Sequence, residues 1–328
     1  MTHITLLAYK NCSMAGISGL IDAFDIANKW QSVKKLENSD KKSLFDWDIV
    51  SIDGKQVECS NKIIITPNAS INQIKQTDII IVPGFIAPLD FIGKIPEKIK
   101  DWIKKWNDKN IFICSTCTGS FFLAETGILN KKTAATNWLF ADYFKKLYPE
   151  VNLKPELMLT TDKNIICTGA TTSYFNLALY LIEKFSSQNI ASYCSKTLLI
   201  DPSKQSQSPY MIFEFQKNHC DEAVLKAQTF LEENYSKPVS IENLASELGI
   251  SLRHFMRRFK KATGDTPLLY LQKIRIEDAK QKLESTKNSI DEITRLVGYE
   301  DVNSFRKLFK KITGLLPGEY RKKFAKIL

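Results

Sequence analysis

Short apolar runs alternate with amphipathic stretches over residues 1–190, a pattern typical of alternating strands and helices. Five runs predict buried strands, at Ile4–Ala8, Asp48–Ile52, Asp78–Val82, Ile111–Cys114 and Ile165–Cys167. Two stretches with helical periodicity predict helices at Phe91–Asn107 and Tyr174–Phe185. This order of elements predicts an α/β domain around a mostly parallel sheet.

Two of the predicted strand ends carry residues of chemical interest. The segment Ile111–Leu129 reads IFICSTCTGSFFLAETGIL, an apolar strand, a turn around Cys117 and a helix at Ser120–Glu125. A side chain on such a turn points into the crevice at the sheet edge, and the helix N-terminus is expected to lower the pKa of a thiol there. Pro83–Gly84 directly follows another strand, where ligands of such sheets bind. The alternative for Cys117 is an apolar thiol that only fills the turn.

The sequence does not supply the partners that a catalytic or metal-bound cysteine needs. Cys114 and Cys117 have the spacing of a thioredoxin-like pair, but Cys114 falls within the apolar strand, and no second ligand pair for zinc is evident. A thiolate nucleophile requires a general base within hydrogen-bond reach. The histidines are His3, His219 and His254, and none lies in a predicted site segment. We therefore predict no catalytic residue, no metal and no cofactor.

The C-terminal part contains two copies of one pattern, at Ser240–Tyr270 and Ser289–Tyr320. In each copy a serine suited to an N-cap starts an amphipathic helix, and Gly249 or Gly298 ends it. The copies are offset by 49 residues before this turn and by 50 after it, where Phe255, Phe259, Pro267 and Tyr270 match Phe305, Phe309, Pro317 and Tyr320. A helix, a glycine turn and a second helix predict two helix-turn-helix units, at about 240–270 and 289–320.

The second helix of each unit is apolar on one face and basic on the other. Opposite the phenylalanines lie Arg253, Arg257 and Lys260, flanked by Met256 and His254, in the first copy, and Asn303, Lys307 and Lys310, flanked by Ser304 and Arg306, in the second. Residues 267–287 have helical periodicity and would hold the two units rigidly together. A helical bundle with solvated basic faces is the alternative, and the matched second copy argues against it.

Charge distribution supports binding to nucleic acid. Of 328 residues, the first 250 carry 27 Lys and 27 acidic residues, whereas residues 251–328 carry 12 Lys, 9 acidic residues and every one of the 7 Arg. A neutral body with a basic, arginine-bearing end is the electrostatic pattern of a DNA-binding protein. The length predicts two domains, 1–190 and 226–328, joined by a connector at 191–225. No apolar run predicts a membrane span or a signal peptide, and seven cysteines favour reduced thiols in the cytoplasm.

Residues 226–328 resemble the AraC/XylS family of regulators, whose signature is nearly intact in VGYEDVNSFRKLFKKITGLLPGEYR from Val297 to Arg321. The resemblance implies base-edge contacts from Arg253, Met256 and Arg257 in the first unit and from Asn303, Arg306 and Lys307 in the second. Relatives often have a polar residue where this sequence has Met256. Arginine with guanine and asparagine with adenine are chemically sensible pairs. Lys260 and Lys310 complete the predicted DNA-binding set.

The front part resembles the PfpI-like branch of the class I glutamine amidotransferase-like superfamily, and its fusion to an AraC unit resembles the GlxA-type regulators. The resemblance rests on the Cys117 segment, on ATNW at Ala135–Trp138 and on LLIDPSKQSQSPY in the connector. It implies a flavodoxin-like fold with a turn cysteine at Cys117. Catalytic relatives commonly have a histidine at the position of Asn137, and an acidic residue where this chain has Met14-Ala15-Gly16.

The combined interpretation is a transcription regulator that binds double-stranded DNA and responds to a small-molecule effector. Gly84, Cys117, Thr118 and Asn137 are the predicted ligand contacts, in a domain whose turn cysteine is vestigial. We expect a homodimer in the cytoplasm, away from membranes, with RNA polymerase as a candidate partner. The alternatives are a cysteine-dependent amidase, protease or glyoxalase-like enzyme fused to a DNA-binding domain, and a non-specific architectural DNA binder.

Overall fold

The computed structural model describes residues 1–34, 43–85, 92–215 and 217–325. The chain divides into two compact units, Met1–Gln207 and Ser208–Leu328. In the described residues, none of the helices has both the length and the apolar character required to cross a membrane.

The first unit is built on a seven-stranded sheet with two small two-stranded sheets beside it. Its strands are β1 (Thr2–Leu7), β2 (Phe45–Ser51), β3 (Val57–Glu58), β4 (Ile64–Ile65), β5 (Ala69–Ser70), β6 (Ile79–Val82), β7 (Phe112–Ser115), β8 (Thr133–Ala134), β9 (Asn152–Leu153), β10 (Leu159–Asp162) and β11 (Ile165–Thr168). The order in the large sheet is β10-β11-β7-β6-β1-β2-β5. All of its pairs are parallel except β10–β11. The prediction of a flavodoxin-like fold with a mostly parallel sheet is confirmed.

The α-helices of the described residues are divided between the two units. Those of the first unit are α1 (Met14–Lys34), α2 (Glu97–Asp108), α3 (Gly119–Glu125), α4 (Ala141–Leu147), α5 (Tyr174–Phe185) and α6 (Gln188–Thr197). Those of the second unit are α7 (Glu222–Asn234), α8 (Ile241–Glu247), α9 (Leu252–Thr263), α10 (Pro267–Ser285), α11 (Ile290–Leu296), α12 (Val302–Thr313) and α13 (Pro317–Phe324). The second unit is therefore all-α, as predicted.

Sheet topology places the ends of three strands together. The central strands run β2-β1-β6-β7, so the chain leaves β1 for β2 and β5 on one side and then crosses to β6 on the other, which reverses the strand order beside β1. In a flavodoxin-like order, ligands bind beyond the carboxyl ends of the strands at this point of reversal. The loop after β1 begins at Ala8, the loop after β6 begins at Pro83 and the loop after β7 begins at Thr116. These three loops form the edge at which a site is expected.

Some predicted boundaries differ from the structure for identifiable reasons. The helix expected from Phe91 begins instead at Glu97, because Gly93, with φ +81°, and Pro96 at the N-cap precede it; Phe91 itself lies outside the described residues. The range 191–225, predicted as a connector, is divided between the units. Most of α6 falls in it, and the α6 side chains Ile190, Ala191 and Cys194 are buried in the core of the first unit.

Two clusters of buried side chains form the second unit, one for each copy of the repeat. Phe255 and Phe259 of α9 are fully buried in the first, and Phe305 and Phe309 of α12 in the second. Helix α10 contributes to both clusters, through Leu271 and Ile274 at one end and through residues such as Ala279 at the other. It therefore holds the two copies in one domain, as its periodicity predicted.

Candidate functional sites

Cys117 sits on a tight turn between β7 and α3. Its backbone adopts φ +53°, the left-handed region that a residue with a side chain rarely occupies. The opposite wall of the turn is Gly84, where an added Cβ would lie 2.7 Å from the Cβ of Cys117. A glycine is therefore required at position 84, since any side chain would displace the cysteine.

Hydrogen bonds tie the loop after β6 to this turn. The Gly84 N–H donates to Thr116 Oγ1 at 3.1 Å. The Thr118 hydroxyl accepts from the Phe85 N–H and donates to the Phe85 carbonyl, both at 2.7 Å. Because these bonds use the Thr118 hydroxyl and its side chain is fully buried, the structure places Thr118 behind the turn as a support. Of the four predicted ligand contacts, Gly84, Cys117 and Asn137 line one cavity, and Thr118 is not among its lining residues.

Asn137 faces the thiol with its orientation fixed. Its Oδ1 accepts a hydrogen bond from the Leu139 N–H at 3.1 Å, which caps a short 3₁₀ helix at Trp138–Phe140. Its Nδ2 then points to Cys117 Sγ at 3.5 Å. The group beside the thiol is therefore a hydrogen-bond donor, which cannot accept the thiol proton as a general base would.

The cavity beyond these residues has a volume of about 260 Å³. Sequence reasoning missed Ser13, Gly16, Phe85, Thr116, Leu139, Phe140, Thr171 and Tyr174 in its lining. Ser13 follows β1 and Thr171 follows β11, so the rule that ligands bind at the carboxyl ends of parallel strands could have identified both. No acidic side chain or histidine lines the cavity among residues 1–34, 43–85, 92–215 and 217–325. Hydroxyl, amide and thiol groups on apolar walls suit a small polar ligand.

The net shift in the pKa of Cys117 is upward, opposite to the predicted lowering, because burial outweighs the contribution of the helix N-terminus. Burial raises the pKa of the Cys117 thiol above its ordinary value, and the hydrogen bonds from the Asn137 amide and the Thr118 N–H offset only part of that increase. The side chain is only 8% exposed, and α3 has just seven residues. Near neutral pH the group is therefore a neutral thiol, the form that is a poor nucleophile.

Gln207, at the end of the first unit, supports two segments of the cavity wall. Its side chain is 1% exposed, and its Nε2 lies 3.0 Å from the Thr136 carbonyl oxygen and 2.8 Å from that of Pro155. Its Oε1 accepts from the Ala170 N–H at 2.7 Å. Thr136 and Ala170 directly precede the lining residues Asn137 and Thr171. No pattern in the sequence predicts this role, because Gln207 lies in a polar segment that also contains Gln205.

The second unit confirms the helix-turn-helix pattern in detail. Ser240 caps α8 by accepting from the Asn243 N–H, and Ser289 forms a capping box with Glu292 at the start of α11. Gly249 and Gly298 have φ values of +68° and +84°, which is the left-handed conformation predicted for the turn before each recognition helix. The two helix-turn-helix copies therefore have the same arrangement, and α9 and α12 are their second helices.

Both recognition helices present their polar faces to solvent. Seven of the eight predicted DNA contacts are exposed and Met256 is half-buried; the exposed ones are Arg253, Arg257, Lys260, Asn303, Arg306, Lys307 and Lys310. Asp301 caps α12 by accepting from the N–H groups of Asn303 and Ser304. A hydrogen bond with the Ser304 side chain, followed by these two N–H bonds, lowers the pKa of its carboxyl group. Arg306 lies 3.6 Å from an Asp291 oxygen, an exposed pair that is worth little and leaves the guanidinium available.

In the part of the chain that the structure describes, three arginines donate hydrogen bonds to the protein itself. Arg258 donates to both carboxylate oxygens of Asp221, the N-cap of α7, at 2.9 and 2.7 Å. Arg275 and Arg321 donate to backbone carbonyl groups. The concentration of arginine at the basic end therefore reflects internal bonding as well as an outward positive surface, a distinction that charge counting could not make.

Comparison with known proteins finds a family match within each unit. The DJ-1/PfpI family matches residues 29–184, and a helix-turn-helix domain family matches residues 244–323. The chain is 22% identical over 306 residues to the HTH-type transcriptional regulator GbdR of Pseudomonas aeruginosa, covering 92% of this chain and 82% of that protein. It is 22% identical over 312 residues to CdhR of the same species, covering 94% and 88%. An AraC family transcriptional regulator from Pseudomonas putida shares the fold, with a TM-score of 0.51 at 18% identity over 60% of this chain and 100% of that one.

A flavodoxin-like domain with a cavity at its strand ends, followed by paired helix-turn-helix units, defines a DNA-binding regulator. The chain is a DNA-binding transcription regulator in which a domain similar to the DJ-1/PfpI family precedes a helix-turn-helix domain.

Proposed function

We propose that this protein binds a specific duplex DNA sequence through both recognition helices, under the control of a small molecule held in the cavity of its first unit. The observation that carries the proposal is the repeated pairing of a buried aromatic face with an exposed basic face on α9 and α12. Arg253, Met256 and Arg257 of α9 would contact base edges, as would Asn303, Arg306 and Lys307 of α12, with Lys260 and Lys310 near the phosphates.

Selection of duplexes from a randomised pool by the full chain tests sequence-specific binding. Wild-type protein should enrich one sequence with two half-sites, and its affinity should fall steeply with salt as counterions are released. Arg257→Ala should cost about 1–3 kcal/mol at one base position and relax the preference there. Arg257→Lys is the matched variant, because lysine retains the charge but not the planar fork. Equal losses on all sequences, rescued by lysine, would mean that Arg257 contacts only phosphate.

The first unit would act as a sensor without turnover. Support comes from the donor geometry of Asn137 and the raised pKa of the Cys117 thiol. Cys117→Ser should therefore leave DNA affinity and folding free energy nearly unchanged while altering the response to the effector. An assay with a panel of amides and 2-oxoaldehydes tests the enzyme alternative. A Cys117-dependent turnover of order 1 s⁻¹, within the usual enzyme range, would refute the sensor proposal.

The effector is proposed to be a small polar molecule bound by Cys117, Asn137, Thr171 and Tyr174. The support is the polar lining and the volume of about 260 Å³, which suits a molecule of few heavy atoms. Thermal-shift screening of small metabolites with wild type and Asn137→Leu tests this proposal. A ligand that stabilises both proteins equally would bind elsewhere.

Dimerisation through the first unit is proposed from family resemblance, so that two DNA-binding units meet one operator region. Sedimentation of the full chain at tens of micromolar should give a dimer mass, and a monomer would refute this part. RNA polymerase in the cytoplasm is the proposed downstream partner, and in vitro transcription from a selected site tests it.

A further inference from the structure

Arg275 of α10 lies where the turns of the two helix-turn-helix copies are in contact. Its Nε donates to the Tyr235 carbonyl at 2.7 Å and its Nη2 donates to the Lys237 carbonyl at 2.9 Å. These carbonyls belong to the turn that leads into α8 of the first helix-turn-helix copy. The guanidinium carbon also lies 4.9 Å from the centre of the Tyr299 ring, in the turn of the second copy. One side chain therefore contacts both copies at the same time.

Gly298 brings the two turns into direct backbone contact. A Cβ at this position would lie 2.9 Å from the carbonyl oxygens of Tyr235 and Ser236. The residue has φ +84°, so its conformation also favours glycine. The turn of the second copy thus packs against the backbone that leads into the first copy, without an intervening side chain. Such close backbone contact leaves little room for the two copies to slide against each other.

Each side of this contact leads to a recognition helix. The Tyr299 ring packs against Phe305 of α12, with ring centres 5.7 Å apart. On the other side, Lys237 precedes the N-cap of α8, and α8 packs against α9 in the same buried cluster. Tyr235 is held in turn by its hydroxyl, which donates to Asp278 of α10 at 3.0 Å. Displacement of Arg275 would therefore change the positions of both recognition helices.

We propose that Arg275, with Gly298, is a positioning residue that fixes the separation and rotation between α9 and α12, and so determines which half-site spacing the protein accepts. The inference rests on the proposed function, in which both helices contact DNA. Each added base pair moves a half-site by about 3.4 Å and rotates it by roughly 35°, since one turn takes about 10–10.5 base pairs. A rigid pair of helices can follow only one such arrangement.

The test uses the full chain and duplexes derived from its own selected sequence, with the spacer between half-sites changed by one or two base pairs. Wild type should lose about 10-fold or more in affinity per inserted base pair, comparable to the loss of one base-pair contact. Arg275→Ala should reduce that discrimination to about 3-fold or less, while its affinity for a duplex with a single half-site stays within about 2-fold of wild type. Arg275→Lys should be intermediate, because an ammonium cannot reach both carbonyls as a fork does.

Arg321→Ala is the matched control. It removes the same charge and also a hydrogen bond to a backbone carbonyl, from Arg321 Nη2 to Asn288 at 2.6 Å, but these partners directly flank the two ends of the second copy, so the bond does not reach the first. Its spacing discrimination should remain that of wild type.

If Arg275→Ala discriminates between spacer lengths as strongly as wild type does, the proposal is overturned. If that variant does not fold, the same comparison is made with Arg275→Lys, and discrimination equal to that of wild type overturns the proposal. Loss of discrimination in the Arg321→Ala control would also overturn it, because any lost arginine would then suffice. A wild-type protein that selects only one half-site would instead refute the proposed function, and the spacing role with it.

Discussion

Gln207→Leu gives a direct test of how the cavity wall is supported. Leucine is one atom shorter and cannot form hydrogen bonds, so the substitution leaves the Ala170 N–H and the carbonyl oxygens of Thr136, Pro155 and Leu157 without their glutamine partner. A buried polar group left unpaired costs about 1–3 kcal/mol. Loss of partners for the N–H and for one carbonyl predicts a destabilisation of about 2–6 kcal/mol, a large part of the roughly 5–15 kcal/mol that stabilises a domain.

Tryptophan fluorescence during urea unfolding measures this effect in the first unit alone. All 5 tryptophans lie at positions 30–138, within that unit. The midpoint should fall for Gln207→Leu, and Gln205→Leu is the control. Gln205 has an exposed side chain, and its carbonyl, which accepts from the Met158 N–H, is unaffected. The control should stay within about 0.5 kcal/mol of wild type. Equal midpoints for the two variants would refute the assignment of a supporting role to Gln207.

Three further predictions follow from the same contacts. Gly84→Ala should destabilise the first unit by about 1–3 kcal/mol through overpacking against Cys117, and an unchanged unfolding midpoint would contradict that contact. Alkylation of Cys117 by iodoacetamide should be slow near neutral pH and accelerate only above the ordinary range of thiols, because burial raises the pKa of Cys117; peptide mass spectrometry measures it against exposed Cys220, and faster labelling of Cys117 at pH 7 would contradict it. Asp221→Asn should destabilise the second unit at pH 7, because Arg258 lowers the pKa of Asp221 in the folded state. That ion pair contributes above the unfolded pKa of about 3.9 and is lost as pH falls through the folded value. Far-ultraviolet circular dichroism should thus show the difference from wild type shrinking below about pH 4, and a difference independent of pH would exclude the ion pair as its source.

Local signals in the sequence were sufficient for the architecture. The helix Tyr174–Phe185 has the predicted bounds. The repeat predicted both recognition helices, because phenylalanine spacing, N-caps and glycine turns are patterns among residues close together in the sequence. Helix α1 was missed although Ile17, Leu20 and Phe24 have helical spacing and are buried. Gly16 and Gly19 weaken the helical signal in its first turns. The structure explains Gly19, since a Cβ there would overlap the ring of Tyr174 in the neighbouring helix α5.

Contacts between residues distant in sequence could not be predicted in this way. The pKa of Cys117 depends on how deeply the turn is buried, and a pattern around the cysteine contains only its immediate neighbours. The roles of Gln207 and Arg275 depend on segments 24 to 71 residues away along the chain. Their side chains are common types in unremarkable surroundings, so only tertiary packing distinguishes them.

The two recognition helices have the same fold but different exposed side chains, so the DNA site proposed for them is asymmetric. Helix α9 carries Arg253 and Arg257 where α12 carries Asn303 and Lys307. A pair of identical helices related by a two-fold axis contacts a palindrome, which has the same sequence on either strand. Unequal helices in a fixed order along one chain instead contact an asymmetric sequence. Inverting that sequence beside a promoter would exchange the helix that lies nearer the start of transcription, so orientation becomes part of the information that the site carries.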